Sequence, residues 1–298
     1  MKNIIDYIVY FIVRIVVCIT QSLSIDAGHT FAKGFAFLFT EILPARQDIV
    51  RNNLTIAFPQ MSVAERKRIN RKMWEHLFLM LVEIALAPRK IRELNWADHV
   101  QLVGVRQLMA CLRKERPLIL VTAHFGNFEM GGYMLGALGY PSHSVARTLD
   151  NRYLNDYVKQ FREVTGQFLI SKNEGYEDIL HVLETNGTMA FLADQSAGHK
   201  GCFVNFFGKP ASTFKAIALF SLQYDAPIVV TASTRVGEKP MQFKMCESGF
   251  IDPRNLPEGI QNVKQITQWY TSELEKMITE QPEQYWWIHN RWKERSEG

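Results

Sequence analysis

Cysteine is scarce in this sequence. Cys18, Cys111, Cys202 and Cys246 are far apart, form no CxxC pair and have no histidine near them at a spacing typical of zinc ligands. We therefore expect free thiols in a reducing compartment and no metal site.

A strong excess of one charge is also absent, since 34 basic and 30 acidic residues leave a formal net charge of +4. No nucleic-acid-binding motif accompanies this balance, so we expect no nucleic acid partner. Basic residues are clustered, which is typical of solvated helix faces and, where clusters act together, of contact with an anionic bilayer or substrate. The clusters are Arg66, Lys67, Arg68, Arg71 and Lys72; Arg113, Lys114 and Arg116; and Arg291, Lys293 and Arg295.

The sequence lacks an uninterrupted apolar run of the length that crosses a bilayer, about 20 residues. Residues 4–19 are apolar but contain Asp6 and Arg14. A basic start and a small-residue cleavage site, which mark a signal peptide, are missing. With a second apolar segment at residues 31–39, residues 1–42 are predicted to form membrane-anchoring or interfacial helices. The alternative is a pair of helices packed in a soluble core.

Low-complexity linkers and internal repeats are missing too, and 47% hydrophobic residues suffice for a full core. Residues 43–298 are predicted to form one domain with a helical lead-in over residues 43–100. Ser62 and Glu65 have the spacing of a capping box at the start of a helix.

From residue 117 onwards, short β-type runs alternate with amphipathic stretches. This alternation predicts an α/β fold with a mostly parallel central sheet and flanking helices. The predicted strands are residues 118–122, 144–146, 168–170, 188–192 and 227–232; the predicted helices are residues 130–138, 153–164, 176–184 and 214–224. Ligands of such sheets bind beyond the carboxyl ends of the strands, so polar residues there are candidates for function.

The first predicted strand is followed at once by His124, with Glu129 five positions later. A turn through Gly126 and a helix capped by Asn127 would let the two side chains converge. A carboxylate bonded to one imidazole nitrogen fixes the tautomer and leaves the other nitrogen as a general base. We predict His124 as that base and Glu129 as its partner; the alternative is a core histidine held by backbone groups.

The same spacing recurs at His289 and Glu294, in the charged run HNRWKERSEG. No strand precedes that run, so we interpret it as a solvated helix end. Context, not spacing, therefore singles out His124.

Further strand ends supply candidate substrate-binding residues. The candidates are Arg147, Asn151 and Arg162 after the second predicted strand, and Asp194, Gln195 and Thr213 after the fourth. Arginine suits planar recognition of phosphate or carboxylate. The alternatives are a buried ion pair for the arginines, with Asp150 or Glu163, and loop-organising hydrogen bonds for Asp194 and Gln195.

Five segments in order resemble the lipid A biosynthesis acyltransferases, the late acyltransferases within the wider glycerolipid acyltransferase group. They are HFGNFE, VARTLDN, LADQ with FVNFFGKPAST, the APIVV strand ending near Arg235, and PEQYWWIHNRWK. His124 and Glu129 fall on the histidine and acidic positions of the group's hallmark. Arg147, Arg162 and Asp194 fall where the lipid A branch tends to carry the same residue types.

The resemblance implies acyl transfer from an acyl carrier protein or coenzyme A thioester, as co-substrate, to a hydroxyl of a lipid A precursor. It implies no cofactor and a place on the cytoplasmic face of the bacterial inner membrane. No GxSxG motif appears and no cysteine follows a strand beside a histidine, so no covalent acyl-enzyme is required. The alternatives are acylation of another membrane lipid, a lipid hydrolase or thioesterase with the same dyad, and a lipid-binding scaffold without turnover.

Overall fold

The computed structural model describes residues 2–92, 94–172 and 174–293, which form a central sheet with an apolar core on each face. Alternate side chains of the central strand at residues 118–122 point into opposite cores. Ile119 and Val121 join the larger core, whereas Leu118 and Leu120 join the other. Burial on both faces is what a continuous apolar strand in a parallel sheet requires.

The helices lie mainly before the sheet and between its strands. In chain order they are α1 (Lys2–Ser22), α2 (Ile25–Phe37), α3 (Gln47–Ala57), α4 (Val63–Lys90), α5 (Arg106–Leu112), α6 (Phe128–Ala137), α7 (Arg152–Glu163), α8 (Tyr176–Glu184), α9 (Ala216–Gln223) and α10 (Val263–Glu280). The predicted capping box opens α4: the Ser62 hydroxyl accepts from the Glu65 N–H, and the Glu65 carboxylate accepts from the Ser62 N–H.

Within the described residues, seven strands build the main sheet and two form a separate hairpin. In chain order they are β1 (Val100–Val103), β2 (Leu118–Thr122), β3 (Ser142–Ala146), β4 (Gln167–Ser171), β5 (Thr188–Leu192), β6 (Cys202–Phe206), β7 (Lys209–Thr213), β8 (Ile228–Arg235) and β9 (Phe243–Ile251). The sheet order is β1-β9-β8-β2-β5-β3-β4, and β6 pairs with β7.

The predicted α/β class is confirmed. The strands β8, β2, β5, β3 and β4 are mutually parallel, with helices between them in the chain. The bounds of β2, β5 and α8 match the predicted ranges, and the other predicted elements differ by a few residues at their ends. The proposed domain boundary between residues 42 and 43 stays a prediction.

Elements at one side of the sheet were not predicted. β9 runs antiparallel to β8, and β1 runs parallel to β9, so both run against the rest of the sheet. β9 follows β8 without a helix between them, and β1 precedes the residues over which the alternation of strands and helices was recognised. The short helix α5, the hairpin β6-β7 and the long helix α10 were not predicted either.

The N-terminal helices lie against the outside of the α/β domain. Of the described residues, only those of α1 form a helix long and apolar enough to cross a membrane, and none of residues 3–22 is buried. The alternative of two helices inside a soluble core is therefore wrong for α1. α2 buries Gly28, Ala32 and Ala36, and exposes Phe31 and Phe35.

A tight turn links β2 to α6 and carries His124 towards the edge of the sheet. Gly126 has φ +61°, in the left-handed region, and a Cβ at this position would collide with the backbone carbonyl of Ser233. The N–H of Asn127 donates to that same carbonyl at 2.7 Å. As predicted, the Asn127 side chain caps α6 by accepting from the Met130 N–H. The turn therefore lies directly on β8.

This close approach predicts that Gly126→Ala is more destabilising than alanine at a glycine with the same backbone but open surroundings. Gly104 has φ +65° and no atom within 4 Å of a built Cβ. Gly104→Ala should cost only the left-handed strain, about 1–2 kcal/mol. Gly126→Ala should cost about 1–3 kcal/mol more, because Ser233 must move. Denaturant unfolding of the two variants measures the difference, and equal losses would contradict the packing described here.

Candidate active site

The carboxyl ends of β2 and β5 bring a histidine and an aspartate together. The strands are neighbours with Thr122 opposite Leu192, so the residues two positions further on, His124 and Asp194, leave the sheet side by side. Nδ1 of His124 lies 2.9 Å from Oδ1 of Asp194. Because a carboxylate only accepts, Nδ1 carries the proton. Nε2 makes no hydrogen bond to a described residue and is available to a ligand.

The His124–Asp194 interaction shifts the pKa of both partners towards their charged forms. Burial alone would lower the pKa of His124, but the charge and hydrogen bond of Asp194, with a smaller effect of Glu129, raise it above its ordinary value. Burial would likewise raise the pKa of Asp194, but His124 outweighs it and lowers this pKa to about 2. Asp194 is therefore anionic at neutral pH and favours a proton on the imidazole.

The hydrogen bond expected between Glu129 and His124 is not present, and Asp194 takes that place. Glu129 lies in the first turn of α6, as predicted, but its carboxylate accepts two hydrogen bonds from Arg162 of α7, one of them from Nε at 2.9 Å. The helix start turns the side chain towards α7 and away from the imidazole nitrogen. Glu129 acts on His124 through its charge, and a catalytic role for it stays a prediction.

A cavity of about 670 Å³ opens beside His124, within the size range of small-molecule sites. Its polar lining includes His124, Glu129, Arg147, Arg162 and Gln195, so five of the predicted site residues share one cavity. Its apolar lining includes Leu135, Phe191, Phe214, Phe220, Met245 and Trp286. The cavity is thus suited to a ligand with a long apolar part and a polar group near the histidine.

Arg147 lies where the carboxyl end of β3 predicted it. Its side chain is 77% exposed, and its ion pair with the still more exposed Asp150 is 3.6 Å long. Such a pair contributes little to stability, so the guanidinium is free to meet an anionic ligand. The buried ion pair considered as an alternative for Arg147 is absent. A partly buried pair does form at Arg162, with Glu129 in place of the expected partners.

Asn151 and Thr213 are not part of the cavity lining. The Asn151 side chain caps α7 and donates to the carbonyl of Asp6 in α1 at 2.8 Å. Thr213 is fully buried, and its hydroxyl accepts from Arg291. Both side chains use their hydrogen bonds within the protein, and no geometry supports the predicted contact with substrate.

The C-terminal strap (residues 284–291) closes over His124. The Trp286 N–H donates to the His124 carbonyl at 3.0 Å, and the Trp286 ring lies 5.1 Å from the imidazole. The ring of His289 lies 4.8 Å from that of His124 at 61°. Asn53 fixes the strap by donating to the carbonyls of Trp287 and His289.

The interpretation of this region as a solvated helix end is therefore wrong. Residues 285–293 are not helical, and Arg291 from the terminal basic cluster is buried. Burial, together with the charge of His124, lowers the pKa of His289 to about 4, so this imidazole is neutral at physiological pH. The aromatic run YWWIH, which is unusual on a solvated surface, was the signal for burial. Glu294 lies outside the described residues.

Comparison with known proteins identifies the family of this chain. The family model described as bacterial lipid A biosynthesis acyltransferase matches residues 2–294. The chain belongs to this family. Accordingly, the protein is an acyltransferase, and the resemblance found in the sequence is confirmed.

Two relatives in Escherichia coli (strain K12) indicate the degree of similarity. The acyltransferase is 28% identical over 264 residues to a lipid A biosynthesis palmitoleoyltransferase, covering 86% of this chain and 81% of the relative. It is 25% identical over 272 residues to a lipid A biosynthesis lauroyltransferase, covering 89% and 85%. A solved structure, the 1-acyl-sn-glycerophosphate acyltransferase from Thermotoga maritima, aligns over 86% of this chain and 97% of that one, with a TM-score of 0.41 and 11% identity.

In this acyltransferase, a buried network holds the turn after His124. His76 Nε2 donates to the Gly126 carbonyl at 3.0 Å, and its Nδ1 accepts from Arg235 at 2.6 Å. Arg235 forms a two-pronged pair with Glu83, which also accepts from the Asn127 side chain at 3.0 Å. Burial, helped by Arg235, lowers the pKa of His76 well below its ordinary value, so its neutral ring bridges cation and carbonyl. No pattern in the sequence indicated this network beyond the strand ending near Arg235.

Proposed function

We propose that the protein transfers a fatty acyl chain from an acyl carrier protein or coenzyme A thioester to a hydroxyl of a lipid A precursor. The observation that carries the proposal is the His124–Asp194 pair at the mouth of a largely apolar cavity. The relatives, named as lipid A palmitoleoyl- and lauroyltransferases, support this class of acceptor and acyl group.

His124 acts as the general base through its free Nε2. It takes the proton of the acceptor hydroxyl while the hydroxyl oxygen attacks the thioester carbonyl. The tetrahedral intermediate collapses with cleavage of the carbon–sulfur bond, and the imidazolium returns the proton to the thiolate. The products are an ester and a free thiol. Asp194 stabilises the imidazolium and fixes the tautomer throughout.

A covalent acyl-enzyme is unnecessary in this mechanism. Cys246 lines the cavity, but burial raises the pKa of its thiol, which makes it a poor nucleophile at neutral pH. In an acyl transfer by direct attack, no protein nucleophile is needed.

The two arginines of the cavity have different roles in this proposal. Arg147 is exposed and only weakly paired, so it can bind a phosphate of the acceptor or of the phosphopantetheine arm. The charge of Arg162 is already matched by Glu129, so Arg162 serves to position that carboxylate near His124. The apolar wall, which includes Phe191 and Phe220, receives the acyl chain.

The enzyme sits on the cytoplasmic face of the inner membrane, with α1 in the plane of the interface. One face of α1 packs against the rest of the protein. Its residues recur at steps of three and four and are all half-buried: Asp6, Tyr10, Val13 and Val17. Its two ends are tied down, by Asn151 on the Asp6 carbonyl and by Gln21 on the Ala85 carbonyl.

These ties are 15 residues apart, or about 22 Å of helix. A spanning orientation would draw the attached helices α4 and α7 into a hydrocarbon layer about 30 Å thick. The opposite face of α1 is apolar and exposed along its length, which suits an interfacial helix. Its exposed residues include Ile4, Ile8, Phe11, Ile12, Ile15 and Ile19.

Loss of the base should abolish most of the activity. His124→Ala is expected to reduce acyl transfer by about 10²–10⁴-fold, whereas the control His181→Ala, at an exposed position of α8, should leave it unchanged. Mass spectrometry of purified enzyme with a lipid A precursor and either thioester measures the acylated product. Free fatty acid in place of acylated lipid would instead indicate a hydrolase.

An interfacial α1 should expose both of its ends on the same side of a sealed vesicle. In a background with Cys18→Ser, Cys202→Ser and Cys246→Ser, which removes the free thiols that are not buried, Asn3→Cys and Ser22→Cys should both react with a membrane-impermeant thiol reagent from the side that labels Val164→Cys. Val164 is 86% exposed at the end of α7 and reports the side of the catalytic domain. Labelling of Asn3→Cys only from the opposite side would show that α1 spans the bilayer.

A further inference from the structure

Two buried polar atoms beside the site have no hydrogen-bond partner among the described residues. Asp194 uses Oδ1 to bind His124, while its Oδ2 is buried and unpaired. The hydroxyl of Tyr285 is also buried and unpaired. A buried carboxylate oxygen without a donor is costly, so each such atom requires an explanation.

Tyr285 is held beside the catalytic histidine by the backbone. It forms an antiparallel bridge with Phe125, the residue after His124, and the N–H of the following Trp286 donates to the His124 carbonyl. Its ring is packed edge-on against Trp287 with centroids 4.7 Å apart, so the phenol has little freedom to turn away.

The phenol of Tyr285 interacts electrostatically with Asp194. Burial raises the pKa of Tyr285 well above its ordinary value, and the negative charge of Asp194 raises it further. Tyr285 is therefore neutral at physiological pH. It carries one proton to donate, and Asp194 Oδ2 is the acceptor that lacks a donor.

We propose that Tyr285 is a positioning residue whose hydroxyl donates to Oδ2 of Asp194, extending the His124–Asp194 pair to a third member on the C-terminal strap. With both carboxylate oxygens held, Asp194 keeps Oδ1 aimed at Nδ1 of the imidazole. The catalytic meaning of this contact rests on the proposed function, but the contact itself does not.

Other charged and titratable groups face this trio from each packed element. His289 of the strap is neutral, Glu129 is matched by Arg162 from α7, and Arg46 at the start of α3 acts on His289. The buried Arg291 is fixed by hydrogen bonds to Ser212 and Thr213, and its charge interacts with both Tyr285 and Asp194. None of these groups needs to change charge between pH 6 and 8 for Tyr285 to act.

Removal of the Tyr285 hydroxyl should shift the pKa of His124 in a definite direction. A donor on Oδ2 draws negative charge away from Oδ1, so its loss concentrates charge on the oxygen that faces His124. The imidazolium becomes more stable, and the pKa of His124 rises. The base is then more often protonated at neutral pH, and the acid limb of the pH–rate profile moves to higher pH.

Tyr285→Phe tests the proposal because it keeps the packed ring. Tyr270→Phe is the matched control: Tyr270 is also fully buried, and its hydroxyl donates to the Phe214 carbonyl at 2.5 Å, with no contact to Asp194. The titration of His124 is followed by NMR of histidine-labelled full-length protein in detergent micelles, with the signal assigned by its loss in His124→Ala.

We expect Tyr285→Phe to raise the pKa of His124 by about 0.5 and to lower kcat about tenfold. Tyr270→Phe should lower the melting temperature by a similar amount but leave both quantities unchanged. An unaltered His124 pKa in folded Tyr285→Phe overturns the inference. Because the titration needs no substrate, this result is distinct from failure of the proposed function, which would appear as absent acyl transfer by the unaltered enzyme.

Discussion

The register between β2 and β5 is the constraint on which the site depends. Thr122 lies opposite Leu192, and the Ala193 N–H donates to the Thr122 carbonyl at 2.9 Å, so the pairing continues to the last residue before the site. A slip of one residue would turn His124 and Asp194 to different faces. The apolar residues on both faces of β2 oppose such a slip. Core packing therefore determines that His124 and Asp194 meet.

The rest of the structure keeps the histidine at this edge of the sheet. The Gly126 turn lies on β8, α4 contributes His76 and Glu83 from behind, and the strap covers the imidazole with Trp286. Burying the Glu83–Arg235 pair is costly, and the cost is offset only because hydrogen bonds to His76 and Asn127 satisfy it. The network joins α4, the Gly126 turn and β8 at one point. It therefore fixes the position of the turn after His124 rather than adding stability.

Local patterns were sufficient to predict the elements that build the parallel sheet. The continuous apolar runs of β2 and β5, the Ser62–Glu65 capping box and the Asn127 cap each depend on residues close in sequence. The choice of His124 over His289 as the base followed from its position directly after a strand. The strands β1 and β9 lie outside the parallel part of the sheet, and their pairing depends on contacts about 140 residues apart.

The partner of His124 could not be obtained in this way. Glu129 is close in sequence, whereas Asp194 becomes a neighbour only once β5 is known to lie beside β2. Tyr285 and His289 reach the site through the strap, more than 150 residues from His124. Arg162 meets Glu129 because α7 packs beside α6. In each case the missing information was the order of the elements in space.

A double-mutant comparison of His124 and Asp194 tests the central claim most directly. If the carboxylate acts through the imidazole, acyl transfer by the double variant His124→Ala with Asp194→Asn should fall no further than by His124→Ala alone, since residues that act as one unit are not additive. Losses that multiply, in variants shown to be folded, would mean that Asp194 serves the reaction independently of His124 and would contradict the account.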